Sequence, residues 1–279
     1  MSSYAGSAAT SLHEGFQDTR QVDEIADLFR WLDIADGLEP IKQIKRLMLD
    51  VRPPEDGDRI LDVGCGIGHE VQRLATRVGR RGRVVGIDKS ESMIAEARRR
   101  GSDPSLSIEY KVGDARLLEL ADGTVDLCRA ERVLRYVERP EQALQEMVRV
   151  LRPGGHVVVF DLDSDQTIVD APDMSLVRRI AEVLDRAVPN PWMARQLFRL
   201  FKQVGLTEVR VVPQVTVATS PNYFPVYRRL VAGSLDRAAE VGQIDASDLA
   251  RWWELLERAD RDGVFFTVML GAVVSGRKP

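Results

Sequence analysis

The sequence predicts an α/β protein: a mostly parallel sheet of about seven strands with helices on both faces, preceded by helices and interrupted near its end by a helical cap. Three observations carry that reading. Strand-like apolar runs alternate with helical stretches from residue 59 to residue 162. One run, Val157-Val158-Val159-Phe160, is continuously apolar, as a strand buried on both faces must be. Ile60-Leu61-Asp62-Val63 breaks directly into Gly64-Cys65-Gly66-Ile67-Gly68, a turn largely stripped of Cβ atoms.

The elements follow in order. Residues 1–22, rich in Ser, Ala, Gly and Thr, read as a flexible segment or a lid. Residues 23–52 read as two helices. Ile25, Leu28, Phe29, Leu32 and Ile34 give the first an apolar face; Pro40 suits the first turn of the second, which runs on through Ile41, Ile44, Leu47 and Met48. Pro53-Pro54-Glu55-Asp56-Gly57-Asp58 is a break.

The core, residues 53–220, then reads as strand 59–64, helix 68–79, strand 83–88, helix 90–100, strand 106–112, strand 124–130 and helix 139–151. The turn Arg152-Pro153-Gly154-Gly155 leads into strand 156–162. Helices are expected at 173–187 and 192–204, and a strand after Gly205 through Val209, Val211 and Val212. Residues 221–263 read as a helical cap inserted before a final core strand in 264–279.

Composition excludes several classes. The chain is 44% hydrophobic and 29% charged, an ordinary globular balance. A net charge of −4 argues against general nucleic-acid binding. The basic runs Arg77-Val78-Gly79-Arg80-Arg81-Gly82-Arg83 and Arg98-Arg99-Arg100 fall at helix ends, where cations complement the dipole. Cys65 and Cys128 show neither metal-ligand spacing nor a disulfide framework, so no metal is expected. No secretion signal is visible, and Val264–Val274 is too short to cross a bilayer. The expectation is a cytoplasmic monomer or homodimer with no membrane span.

A glycine-rich strand-to-helix turn aims backbone N–H groups at one point, where a strongly accepting ligand is expected. A dinucleotide site wants G-x-G-x-x-G. Here the glycines fall as G-x-G-x-G, His69 stands at the dinucleotide position, and Asp62 lies two places before the first glycine. This D-x-G-x-G-x-G run resembles the first motif of class I S-adenosylmethionine-dependent methyltransferases. In that Rossmann-like family the turn wraps the amino-acid end of the cofactor.

Further matches fall in the family's order. Val84-Val85-Gly86-Ile87-Asp88 ends a strand in a carboxylate. In the family such a residue holds both ribose hydroxyls, since one carboxylate accepts two hydrogen bonds. Val112-Gly113-Asp114-Ala115 supplies an acid that in the family accepts from the adenine amino group. Val125-Asp126-Leu127-Cys128-Arg129-Ala130 and Leu151-Arg152-Pro153-Gly154-Gly155-His156 match the fourth strand and the turn before the fifth. The resemblance implies S-adenosyl-L-methionine as cofactor, held by Asp62, Gly64, Cys65, Gly66, Gly68, Asp88, Lys89, Met93, Gly113, Asp114, Ala115, Arg129 and Ala130.

The layout is most similar to small-molecule methyltransferases, including quinone-pathway and antibiotic-tailoring enzymes. It implies methyl transfer to a small, largely apolar organic acceptor, with bacterial secondary metabolism as the setting. The alternatives are a lipid-quinone C-methyltransferase and a protein of the same fold that binds the cofactor without methylating. A nicotinamide dehydrogenase is disfavoured by His69.

Candidates for proton transfer are few. Relatives often have two consecutive histidines where Arg135-Tyr136 stand, so no histidine base carries over there. Tyr136 and Glu131 follow the fourth strand, on the edge where such sheets bind ligands. With His69 they are the catalytic candidates; otherwise they are helix-surface residues, or, for His69, packing beside the cofactor. His13 reads as a surface residue and His156 as an exposed edge residue. In the cap, Tyr223, Tyr227 and Trp252 are the candidate acceptor contacts. Their alternative is packing of cap on sheet. Trp31, Phe29 and Tyr4 are similar candidates for an N-terminal lid.

Overall fold

The computed structural model describes residues 22–219 and 223–279. The expected lid, with Tyr4 and His13, lies outside the described residues. Two helices, α1 (Val22–Gly37) and α2 (Glu39–Val51), precede the sheet. The alternating part runs β1 (Arg59–Val63), α3 (His69–Val78), β2 (Arg83–Asp88), α4 (Glu91–Arg99), β3 (Ile108–Val112), β4 (Val125–Glu131), a short 3₁₀ turn (Leu134–Tyr136), α5 (Pro140–Val150) and β5 (Leu151–Val169). Then come α6 (Met174–Arg186), α7 (Met193–Gln203), β6 (Thr207–Thr219), α8 (Phe224–Glu240), α9 (Ala246–Arg261) and β7 (Phe266–Arg277).

The seven strands form one sheet in the order β3-β2-β1-β4-β5-β7-β6. Strands β1 to β5 are parallel, and β7 lies antiparallel between β5 and β6. Strand order reverses between β1 and β4, so their carboxyl ends open a crevice where ligands of such sheets bind. The parallel strands are buried on both faces. Leu61, Cys128 and Val157 pack in one cluster with α5 and α7, while Ile60, Val84 and Phe160 pack in another with α2, α3 and α4.

The structure departs from the sequence reading in three places. Ile34 is more than half exposed, while Leu28, Trp31 and Ala35 are buried. Those three follow the three-then-four spacing of one helix face, and Ile34 falls off it. Strand β5 is longer than expected. The Arg152–Gly155 turn survives inside it as an irregularity with Gly154 at φ +77°, and past Asp163 the strand leaves register before re-pairing at Ile168. His156 is no edge residue: it is half-buried on β5 between Leu127 of β4 and Arg277 of β7, and burial pushes its imidazole below its usual range.

The helical insertion between β6 and β7 forms as expected and draws in α6. Leu176, Ile180, Phe224, Tyr227, Trp252 and Phe265 pack as one cluster. Phe265 meets the Phe224 ring edge-on at 5.4 Å and the Tyr227 ring at 5.8 Å. Trp31 and Leu28 of α1 pack on Ile67 of the glycine turn and Met93 of α4, with Val226 and Leu230 of α8 beside them. The N-terminal helices and the cap thus meet over the crevice.

Candidate active site

The glycine turn shows why small residues stand at each place. Gly64, Gly66 and Gly68 all adopt left-handed φ, at +70°, +53° and +85°. A Cβ on Gly64 would lie 2.3 Å from Val133 Cγ2, and one on Gly68 would lie 2.5 Å from the Tyr110 hydroxyl. At Gly66 it would meet nothing within 4 Å among the described residues. Gly64 and Gly68 therefore admit neighbours, whereas Gly66 leaves an open cradle on the cavity wall.

Asp88 ends β2 beneath that cradle. Its Oδ2 accepts from Gly66 N at 2.8 Å and its Oδ1 from Ser90 N at 3.0 Å. Asp114, across the turn, is held by Arg116, whose Nη2 lies 2.7 Å from Oδ2 and whose hydrogen bonds keep the carboxyl below its usual range.

Below the turn lies a buried charge cluster. Arg129, 2% exposed, places Nε 3.1 Å from Asp62, Nη1 2.9 Å from Glu70 and Nη2 3.3 Å from Glu131. Glu70 also meets Arg73 at 2.5 Å and Lys45 at 3.3 Å, and Asp36 of α1 pairs with Lys45 and Arg73. Burial pushes the Asp62 carboxyl up to about 7; Arg129 opposes this, while Glu70 and Glu131 add to it. So Arg129 ties β1, α3 and β4 together under the turn.

The expected contacts sort clearly. Asp62, Gly64, Cys65, Gly66, Asp88, Lys89, Gly113, Asp114, Ala115 and Arg129 line one cavity of about 480 Å³. Gly68, Met93 and Ala130 are not on its wall. Gly68 caps α3 against Tyr110, Met93 is consumed by packing on Leu28, Trp31 and Ile67, and Ala130 belongs to the sheet core.

Of the catalytic candidates, all three line the cavity. His69 Nε2 is 2.8 Å from Asp33 and 3.1 Å from Arg100, which ties α3 to α1 and α4. Glu131 is engaged by both Arg129 and Arg132. Tyr136 lies under the Arg135 guanidinium, 5.4 Å from its ring centre, and burial pushes its phenol up. The chain turns there through Arg132, at a left-handed φ of +57°.

The same cavity continues beneath the cap, where Ile180, Leu184, Tyr223, Tyr227, Val231 and Met269 form its wall. Tyr223 is half-buried and Tyr227 nearly wholly buried. Among the described residues the Tyr227 hydroxyl has no hydrogen-bond partner. Trp252 also lines the cavity; it is fully buried in the cap cluster, and among the described residues its Nε1 has no partner. Sequence reasoning missed Arg135, Ser164 and Thr167, which also line the cavity. Ser164 and Thr167 sit where β5 leaves register, and no local pattern marks that.

Fold and site together define an α/β enzyme with a nucleoside-type cofactor held at a topological switch point, and comparison with known proteins gives the family. The family of the methyltransferase domain matches residues 61–159. An uncharacterized 37.1 kDa protein in a transposon of Streptomyces fradiae is 35% identical over 91% of this chain and 73% of its own length. A ubiquinone/menaquinone biosynthesis C-methyltransferase of Roseobacter denitrificans is 37% identical over 42% of this chain, which spans 47% of that relative. The YcgJ protein of Bacillus subtilis shares the fold at a TM-score of 0.58 and 16% identity, over 83% of this chain and 96% of that one.

The chain belongs to the class I S-adenosylmethionine-dependent methyltransferases, and its cofactor is S-adenosylmethionine. The open cradle at Gly66 and the carboxylate of Asp88 beneath it fit that group. No helix among the described residues is long and apolar enough to cross a membrane, and no metal-binding cluster occurs among them.

Proposed function

We propose that this enzyme methylates a small, largely apolar organic acceptor in the cytoplasm, as a step of bacterial secondary metabolism. One observation carries the reading: the cavity that begins at Gly66 and Asp88 runs without a break into an apolar chamber under the cap. Its size suits a cofactor with a modest second molecule. Bound S-adenosylmethionine supplies a methyl group on a positively charged sulfur, a leaving group already activated.

The protein's own contribution is alignment and exclusion of water. Fixing two reactants in an attack geometry contributes roughly 7–11 kcal/mol. Asp62, Gly66, Asp88 and Asp114 hold the cofactor, and Val231, Tyr227 and Met269 cover the acceptor. The three titratable candidates Tyr136, Glu131 and His69 all line the cavity, and each is engaged by neighbouring side chains. The Roseobacter relative supports a quinone-like acceptor as the second reading.

Calorimetry with S-adenosylhomocysteine should show binding, and NAD should show none. Labelled methyl from S-adenosylmethionine should then pass into an apolar fraction of a bacterial extract. Label recovered only in water-soluble products would overturn the apolar-acceptor reading.

A further inference from the structure

The cavity wall changes character along its length. Among the described residues, every charged side chain on it comes from the stretch Asp36 to Asp163. The part supplied by α6, α8, α9, β6 and β7 carries no aspartate, glutamate, lysine, arginine or histidine among the described residues. That part still holds polar groups. Thr267 is buried there, and its Oγ1 already donates to the Ile168 carbonyl at 2.9 Å. Thr216 and Ser234 add two small hydroxyls. Two larger donors stand with them. Tyr227 is 3% exposed and Trp252 wholly buried, and both line the cavity. Neither the Tyr227 hydroxyl nor Trp252 Nε1 has a hydrogen-bond partner among the described residues.

A buried donor left unpaired is costly, and buried donors in proteins are nearly always paired. Packing alone would be served as well by phenylalanine at Tyr227, whose ring meets Phe265 at 5.8 Å. Burial pushes the Tyr227 phenol up, so it stays a neutral donor. The helices that carry the two groups are tied down. Arg228 of α8 stacks on Trp253 at 4.9 Å and pairs with Glu257, both on α9. Asp248 of α9 accepts from Arg179 of α6 at 2.7 Å, and Arg251 of α9 lies 3.1 Å from Asp173 at the start of α6. Tyr227 and Trp252 pack in one cluster between these ties. Each side chain is thus fixed in place, and a partner must come through the cavity.

We propose that Tyr227 and Trp252 receive an uncharged carbonyl oxygen at the end of the acceptor that lies under the cap, so that the acceptor class is a neutral carbonyl compound. The inference rests on the methyl-transfer reading and deepens it. An indole N–H can only donate, and a phenol hydroxyl can donate too. Two donors on one wall suit an oxygen with two lone pairs, which a carbonyl has. A carboxylate would meet no cation on this part of the wall among the described residues, and an ammonium no anion, so either would lose its hydration uncompensated. A hydrocarbon would leave both donors unpaired. Holding the oxygen sets which atom of the acceptor faces the cofactor. Tyr227 and Trp252 are therefore positioning residues and make or break no bond.

The probes are 1-tetralone and its hydrocarbon, tetralin, offered to protein loaded with S-adenosylhomocysteine. They share a bicyclic frame and differ at the carbonyl. With wild type, the tetralone carbonyl stretch, read as a difference against carbonyl-labelled tetralone, should lie at lower frequency than in an alkane solvent. One of the four tryptophan indole N–H proton resonances should move downfield with tetralone and not with tetralin. Trp252→Phe should remove that resonance. Tyr227→Phe and Trp252→Phe should each lower the ratio of tetralone to tetralin affinity about two- to tenfold, the loss of one hydrogen bond. Each should return the carbonyl stretch part of the way to its alkane position. S-adenosylhomocysteine affinity should stay within about twofold, since the cofactor wall is separate.

An affinity ratio unchanged in either variant, a carbonyl stretch at its alkane position, an indole resonance that tetralin moves as far as tetralone, or no binding of either probe would overturn the proposal. So would 2-naphthoate displacing tetralone with higher affinity, since the acceptor would then be an acid. If Trp252→Phe does not fold, its resonance is assigned by elimination from Trp31→Phe, Trp192→Phe and Trp253→Phe, and the wild-type spectra with Tyr227→Phe decide. Loss of these effects with S-adenosylhomocysteine still bound sinks this inference only; failure of S-adenosylhomocysteine to bind sinks the methyl-transfer reading.

Discussion

At Gly66 the absent side chain leaves room for a ligand, while at Gly64 and Gly68 it leaves room for Val133 and Tyr110. The three glycines should therefore fail differently. Gly64→Ala and Gly68→Ala should lower thermal stability, by about 1–3 kcal/mol each from overpacking and left-handed backbone. Gly66→Ala should cost less stability but lose S-adenosylhomocysteine affinity; calorimetry beside thermal melts separates the two. Asp88→Ala should weaken that affinity by roughly one to two decades, because hydrogen bonds to a charged acceptor are worth about 1.5–3 kcal/mol. An unchanged dissociation constant in folded protein would place the ribose elsewhere. Asp62 adds a pH signature. Burial raises its carboxyl to about 7 in the folded protein, above its value of 3.8 when free. The folded state therefore binds the proton more tightly, so the stability this group contributes is present at low pH and is lost as pH rises through about 7. The melting temperature of the cofactor-free protein should fall between the free value of 3.8 and about pH 7 and level off above it, and Asp62→Asn should flatten that slope.

Among the elements, α1 depends on charges supplied by three others. Asp33 meets His69 and Arg100, and Asp36 meets Lys45 and Arg73. Burial works against the Asp36 carboxylate, yet bonds from Arg73 and Lys45 hold it well below the usual range. Asp36→Asn should lower the melting temperature by a few degrees, about 1 kcal/mol for a half-buried pair, with less effect at high salt. A salt-independent loss would point to packing instead. None of these pairs was legible in the sequence, since the partners lie far apart in the chain and on different elements. The strands and the glycine turn were legible because their signals are local: Arg83–Asp88 has the bounds that its apolar run predicts. Ile34 misled because it is apolar but stands off the helix face that Leu28, Trp31 and Ala35 define. Arg100, read as a solvated helix end, is a tie to α1, and only tertiary structure could show that.

For the whole molecule, one cavity joins strands from the chain's first half to the helical insertion of its last third. The cofactor wall belongs to β1, β2, β3 and β4, and the chamber wall to α6, α8, β6 and β7. Changes in the cap should therefore move acceptor use without moving cofactor affinity, provided the cap still folds. The aromatic candidates there, Trp252, Tyr227 and Tyr223, all line the cavity and differ in burial. Trp252 is fully buried, so Trp252→Ala should cost about 3–5 kcal/mol and lose activity through the fold. Tyr227→Phe keeps the ring against Phe265 and removes only a hydroxyl that has no hydrogen-bond partner among the described residues. Its thermal stability and S-adenosylhomocysteine affinity should match wild type, while methyl transfer to an apolar acceptor should drop, by about two- to tenfold for one lost hydrogen bond. Tyr223→Ala, at a half-buried site on the rim, should fall between these two. If Tyr227→Phe transfers methyl as well as wild type, the hydroxyl does not touch the acceptor. Recognition then rests on the shape of the chamber and on the loop after β4.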